Sequence, residues 1–506
     1  MESKDQNSDK DQTLEIKAYI PTKEFDLESH AKFNELLYKH PRDRQYLTHK
    51  EYIKEFASDT SKAKELIDYA KSQNWEVTHN KKSREVSIKI TSSSEVKADN
   101  TPSIEKLRFF NQQGDINLKA ESEAVDNDSE SDSVLKNGFV KGNQEQRVGN
   151  REAIPLQDES HGHSVLEVAE SYNFPEGDGE GQTIGIIELG GKFEQSDMDT
   201  FFQKYGLEVP KIQVVGTPSK TPIKENVEVT ADIQVAGVLA PKAKLVIYYG
   251  TSILNAMKSA LADGRNKLTV ISISWAGYEM DYSQAELNEL NNVFHEAAMK
   301  GITVVGASGD NGAFNNLTYP NVNVPVISPF VLGCGGTKME MFNDKIAAEV
   351  VWNESKANVQ IGTGGGFSRR VNQPPYQQAA SQRYLTRFPK YAPYDRAQGR
   401  SIPDVAANAA DASGYSICFE GQWMKIGGTS LATPLWAALI ARMNQNLGYQ
   451  LGFITARLYR LIETEAFHPI VEGNNNLYVG AVGWNPCTGL GTPNGEVLQH
   501  EIQSMK

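Results

Sequence analysis

Leu268-Thr269-Val270-Ile271-Ser272-Ile273-Ser274-Trp275 is a short run of apolar and β-branched residues, the pattern of a strand buried on both faces. The same texture recurs at 183–189, 244–249 and 302–306, and the stretches between, such as 284–300, carry helical periodicity. Strands of this kind spaced by helices predict an α/β fold, a parallel sheet flanked by helices. Ligands of such sheets sit beyond the strands' C-terminal ends, so the residues just after each run are the first to inspect.

The surroundings narrow the class. The chain has 506 residues, which excludes a single small module. With 51 Lys and Arg against 64 Asp and Glu, its net charge of −13 argues against a nucleic-acid partner held by phosphate contacts. No apolar run approaches the roughly 20 residues of a membrane helix, so no membrane association is expected, and the first residues carry no readable secretory signal. Three cysteines, Cys334, Cys418 and Cys487, allow one bridge at most. Residues 1–12 read as disordered. Residues 13–93 read as a small α+β unit, with period-two alternation at 14–20 and 85–90 around helical stretches that include 58–73. Residues 94–165 read as a linker; within it 121–132 holds six acidic residues and no basic one, so flexibility is expected. Residues 166–506 form the large α/β domain.

Three short elements carry chemistry. Gly427-Gly428-Thr429-Ser430-Leu431-Ala432-Thr433-Pro434 places Ser430 at the start of an apolar helix, where free N–H groups and the helix dipole favour an oxyanion. Taken alone, the motif suits a nucleophile and an N-capping serine equally well. A serine nucleophile needs a base, and none of the nine histidines lies in a histidine–glycine context resembling the subtilisin base motif. Glu228-Val229-Thr230-Ala231-Asp232 offers another: i,i+4 spacing puts two carboxylates on one helix face, where they repel and share a proton. Such a pair titrates as a unit. A solvated acidic face is the competing reading, although apolar and small neighbours speak against it. Ala307-Ser308-Gly309-Asp310-Asn311-Gly312 follows a strand, which suits a site, although a lone Ser-Gly-Asp is also a common turn.

In this order the elements resemble the sedolisin family of serine-carboxyl peptidases, with its kumamolisin-like members the nearer match. The resemblance runs through nearly all of 166–500 and includes YNFPEG, IGIIELGG, VEVTADIQVAGVLAP, VISISWAG, GASGDNG, GTGGGFS, IPDVAANA, GGTSLATP and GWNPCTGLG. It implies a subtilisin-like fold, with residues 13–93 as a pro-domain core and 94–165 as a maturation region. It also implies Ser430 as nucleophile, Glu228 as general base, Asp232 as its partner and Asp310 in the oxyanion hole. A carboxylic acid there must stay protonated to donate a hydrogen bond, so acidic pH is implied. Glu188 and Trp275 match residues that extend the carboxylate network; the bland readings are a capping acid and a core aromatic. Ser274, Gly277, Gly364, Gly365 and Gly366 match walls of the substrate cleft. The same glycines lack the Lys-Ser/Thr of a phosphate loop, so a nucleotide is not expected.

The family also binds one Ca²⁺ near its C-terminus through two aspartates and several carbonyls. Here those two positions are Pro469 and Asn485, leaving carbonyls such as those of Ile470 and Gly483. Carboxylate charge sets calcium affinity, so no cofactor is expected and Asn485 and Pro469 are expected to rigidify the loop directly. The resemblance therefore points to an endopeptidase acting on polypeptides in an acidic extracellular setting, made as a precursor that its pro-region inhibits. The alternatives are a tripeptidyl-peptidase and a catalytically silent binding protein; the four intact catalytic positions speak against the silent form.

Overall fold

The computed structural model describes residues 13–19, 31–56, 61–80, 85–91, 117–122, 146–147, 154–155, 162–218, 223–343, 345–356, 359–395 and 398–505. The expected disorder at 1–12 and most of the acidic stretch, from 123 on, lie outside them. Two compact units are present: Met1–Phe25, Ile53–Gln144 and Ser283–Glu289 form the smaller, and Asp26–Tyr52, Glu145–Tyr282 and Leu290–Lys506 the larger.

The smaller unit holds an antiparallel sheet of β1 (Thr13–Tyr19), β2 (Glu76–Asn80), β3 (Glu85–Thr91) and β4 (Asn117–Ser122), in the order β2-β3-β1-β4. The helix Ser61–Ser72 packs on β2 and β3 and buries Ala63, Leu66 and Ala70, the positions its periodicity marks. Strand β4 takes in Glu121 and Ser122, the start of the acidic run expected to be flexible, and pairs Glu121 with Glu15. Its sequence, Asn-Leu-Lys-Ala-Glu-Ser, has too little apolar alternation to announce a strand.

The larger unit is built around a mostly parallel sheet. Its first strands are two short ones, β5 (Gln146–Arg147) and β6 (Ile154–Pro155). Then come β7 (Thr183–Glu188), β8 (Ile212–Val215), β9 (Lys244–Tyr249), β10 (Val270–Ile273), β11 (Trp275–Tyr278), β12 (Thr303–Ala307), β13 (Asn323–Val324), β14 (Val331–Phe342) and β15 (Lys345–Val351). β16 (Gly366–Asn372), β17 (Gly399–Ile402), β18 (Val405–Asn408), β19 (Tyr415–Phe419) and β20 (Gln422–Ile426) complete the strands used below. The sheet order is β15-β14-β12-β10-β7-β9-β8, with β18 beside β14; all neighbours are parallel except β14 and β15. Strands β7, β9, β10 and β12 fall on the four apolar runs.

Two helices decide where the chemistry goes. Thr429–Leu447 is buried on nearly every face and packs on β10, β12, β14 and β18, as an all-round apolar helix must. Ile223–Leu239 packs beside it and is equally buried from Val227 onward. The three cysteines are free and buried. Residues 40–52 belong to this unit and are well tied into it. Arg44 Nη1 donates to the carbonyls of Leu451 (3.0 Å) and Phe453 (2.8 Å), and the Leu47 amide donates to Met299 (2.8 Å). His49 Nδ1 meets Glu296 Oε1 at 2.7 Å.

Candidate active site

Sheet register assembles the site. Ile187, Ile273 and Gly306 are aligned across the adjacent parallel strands β7, β10 and β12. One residue further, at the strand ends, the same row presents Glu188, Ser274 and Ala307, and Asp310 follows three residues later. These are the positions where parallel sheets carry their ligands. The run read as one strand, 268–275, is in fact two, broken at Ser274: β10 stays in the main sheet, while β11 turns away to pair with β13 and β5. The break frees the Ser274 hydroxyl to serve the helices.

That hydroxyl lies 2.9 Å from Asp232 Oδ1 and 3.1 Å from the Ser430 carbonyl. The second contact has a reason in the sequence. In an α-helix the carbonyl of residue 430 would accept from the amide of 434, but residue 434 is proline and has no N–H. Ser274 offers the Ser430 carbonyl a donor in place of the missing N–H, sharing its one hydrogen between that carbonyl and the carboxylate of Asp232.

Glu188, Glu228, Asp232, Asp310 and Ser430 are each 2% exposed or less, so the Glu228–Asp232 pair is no solvated face. Trp275 Nε1 donates to Glu188 Oε2 at 2.8 Å, which makes it a partner of the carboxylate and more than a core aromatic. Burial above all, then the charges of Asp232 and Glu228, pushes the Glu188 carboxyl well above the usual range.

Asp310 meets the start of the Ser430 helix from the other side. Its Oδ1 accepts the Thr429 amide (2.8 Å) and the Thr429 hydroxyl (2.8 Å). Gly428, the N-cap, has φ 133°, and a Cβ there would stand 3.0 Å from both Asp310 Oδ2 and Ser430 Oγ. The two oxygens therefore face one small space that glycine keeps open. Gly364 lies against the Asp310 loop, its amide donating to the Gly309 carbonyl at 2.7 Å and its carbonyl accepting the Ser308 hydroxyl at 2.9 Å. A Cβ on Gly365 would stand 2.1 Å from the Pro486 carbonyl; Gly366 opens β16, and Gly277 pairs with Val324. At Gly364 and Gly365, close backbone packing is what requires glycine. The sequence reading named the serine and the acids but assigned no role to Thr429 or Pro434, although a proline four residues after Ser430 is a readable signal.

A sequence profile described as the subtilase family matches residues 214–484. The chain belongs to that family. Within it, the chain is of the sedolisin type, and kumamolisin of a Bacillus species is 40% identical over 352 residues, 66% of this chain and 62% of kumamolisin. The tripeptidyl-peptidase SED1 of Arthroderma otae is 34% identical over 272 residues, 46% of this chain and 40% of its own length. The match thus spans less than two thirds of these curated relatives. Among solved structures, Pseudomonas sedolisin, a serine-carboxyl proteinase complexed with two molecules of pseudo-iodotyrostatin, superposes with a TM-score of 0.59. It is 28% identical and covers 70% of this chain and 99% of that one. The subtilisin-like fold follows from both findings.

The calcium ion that the fold family implies does not suit the residues present. Asn485 Oδ1 accepts the amides of Cys487 and Thr488, both at 3.0 Å, which turns its Nδ2 toward the carbonyls of Ala481 (3.2 Å) and Ile470 (3.4 Å). Carbonyls that would ligate a cation here accept N–H bonds, and amide hydrogens repel a cation. Among the described residues no group of three His, Cys, Asp or Glu is placed to hold a metal.

Proposed function

We propose that the chain is a serine-carboxyl peptidase, made as a precursor and acting on polypeptides in acid. The observation that carries this reading is the single space faced by Ser430 Oγ and Asp310 Oδ2, at a helix N-terminus beside a buried carboxylate cluster. In this reading Glu228, supported by Asp232, takes the Ser430 proton as Oγ attacks the substrate carbonyl. Protonated Asp310 donates to the oxyanion, a contribution typically of about 2.7–4 kcal/mol. Glu228 returns the proton to the leaving amine, and water then resolves the acyl-enzyme by the same route. Glu188, kept neutral by burial, and its donor Trp275 hold Asp232 in place. Acidic pH is required because Asp310 must carry its proton, and release into an acidic extracellular environment would meet that need.

The segment ahead of the α/β domain fits the role of an intramolecular inhibitor. Gln146–Arg147 runs antiparallel along β11, with Arg147 opposite Trp275, and heads toward Ser274. Ile154–Pro155 pairs with β20, the strand that leads to Gly428. Main-chain pairing of this kind is how extended peptides bind a strand edge. Self-cleavage is therefore expected between Arg147 and Ile154, inside the 94–165 stretch that the resemblance gives as a maturation region. A strand that runs toward Ser274 with a long chain ahead of it favours internal cleavage over removal of N-terminal tripeptides.

The test is a mass-spectrometric map of fragments after a shift to pH 4, with a long peptide as second substrate. Internal cuts and release of a catalytic fragment are expected, and Ser430→Ala should release none. Successive tripeptides would make the enzyme an exopeptidase. Absence of any hydrolysis between pH 3 and 5 would refute the peptidase reading.

A further inference from the structure

We propose that Thr429 is a positioning residue that decides which oxygen of Asp310 carries the acidic proton. The inference rests on the peptidase reading above and deepens it. A neutral carboxyl has one oxygen that only accepts and one that bears hydrogen. Asp310 Oδ1 already accepts two hydrogen bonds from one residue, the Thr429 amide and the Thr429 hydroxyl, both at 2.8 Å. An oxygen receiving two donors is the acceptor of the pair, so the hydrogen belongs on Oδ2. Oδ2 is the oxygen that shares the space beside Gly428 with Ser430 Oγ.

The direction of the Thr429 hydroxyl is itself fixed. It accepts the Gly309 amide at 3.1 Å, so its own hydrogen is available for Asp310. Its methyl group stands against Gly336, where an added Cβ would lie 3.3 Å from Cγ2. A β-branched side chain with its methyl packed on one side has little freedom at χ1, which locks the hydroxyl on the other. The Thr429 carbonyl is held in turn by the Thr433 hydroxyl at 2.8 Å. The arrangement solves a problem peculiar to an acid in an oxyanion hole. Free rotation of the proton between the two oxygens would leave the donor misdirected part of the time, and catalysis by such a donor depends on its being aimed before the charge develops.

The oxyanion forms only in the transition state and intermediate, so losing this aim should lower kcat and leave KM nearly unchanged. Thr429→Val keeps shape and removes the hydroxyl; kcat is expected to fall at least about tenfold, with KM within about threefold of the parent. Thr429→Ser restores the hydroxyl without the methyl and should recover most of the loss. Thermal melts of each variant accompany the kinetics; if the valine variant does not fold, the Thr429→Ala and Thr429→Ser pair takes its place, serine expected active and alanine impaired. Parental kcat in the valine variant would overturn the proposal, as would serine and valine variants impaired alike, since packing would then be the cause. No hydrolysis by the parent chain would overturn the peptidase reading, and this role with it.

Discussion

Pro434 shapes the hydrogen bonding of the catalytic cluster by what it lacks. Without its N–H, the Ser430 carbonyl turns to the Ser274 hydroxyl, which also reaches Asp232 Oδ1. One side chain thus holds the nucleophile's backbone and the carboxylate in a single geometry. Ser274→Ala removes the one hydroxyl hydrogen that these two acceptors share, and a buried acceptor stripped of its donor costs about 1–3 kcal/mol. Urea unfolding at pH 4 should show a loss of that size, with a fall in kcat of about tenfold or more from the misplaced pair. Parental stability and kcat would mean that Ser274 is only a packing residue. Ser430, Glu228, Asp232 and Asp310 could be named from sequence, across 202 positions from Glu228 to Ser430, because each sits in a short motif at an element's end. Thr429 and Pro434 escaped notice because their roles depend on which atom faces which, and motif spacing carries no such information.

At the scale of elements, the apolar strands were legible because burial on both faces leaves a continuous run in the sequence, whereas β2, β4, β5 and β6 were not, being short or polar at their visible positions. The break between β10 and β11 was hidden for a related reason: Ser274 looks like one more small residue in the run. The loop around Asn485 is the converse case, where a substitution was readable and the structure adds the mechanism. The two backbone amides on Oδ1 fix the amide's orientation, so Nδ2 bridges the Ala481 and Ile470 carbonyls. EDTA is therefore expected to leave the melting temperature unchanged. Asn485→Asp would put a carboxylate oxygen against those carbonyls, lowering stability by about 1–3 kcal/mol or more. Calcium should then restore part of the loss, since the variant offers it a charge and two carbonyls. Calorimetry with and without millimolar calcium decides the matter; a melting temperature that drops in EDTA for the parent chain would show that the amide has not replaced the ion.

For the whole molecule, the balance of buried titratable groups determines how stability follows pH. Burial raises the carboxyls of Glu188, Glu279 and Glu349 above their ordinary values, so the folded chain retains protons that the unfolded chain gives up. Stability from these groups is fully present below the ordinary carboxylate range and is lost as pH rises through their folded values. His40, His163 and His468 act in the opposite sense: burial lowers them, so folding gains as pH climbs toward the ordinary histidine value of 6.5. Asp178, held down to about 2 by its hydrogen bond with Lys242, matters only in stronger acid. The opposing trends overlap through the histidine range and separate above about pH 7.5, where the histidines are neutral in both states. Glu188, pushed further than Glu279 or Glu349, contributes the largest falling part of the curve. In a Ser430→Ala background, which prevents self-digestion, urea midpoints should therefore decline relative to those of a further Glu188→Gln variant as pH rises above the ordinary carboxylate range, by up to about 1.4 kcal/mol per pH unit for the retained proton. Glu188→Gln should flatten the decline, because the amide carries no proton to lose. A slope unchanged by Glu188→Gln would show that Glu188 is already ionised in the folded chain, and the account of it as a neutral support for Asp232 would fail.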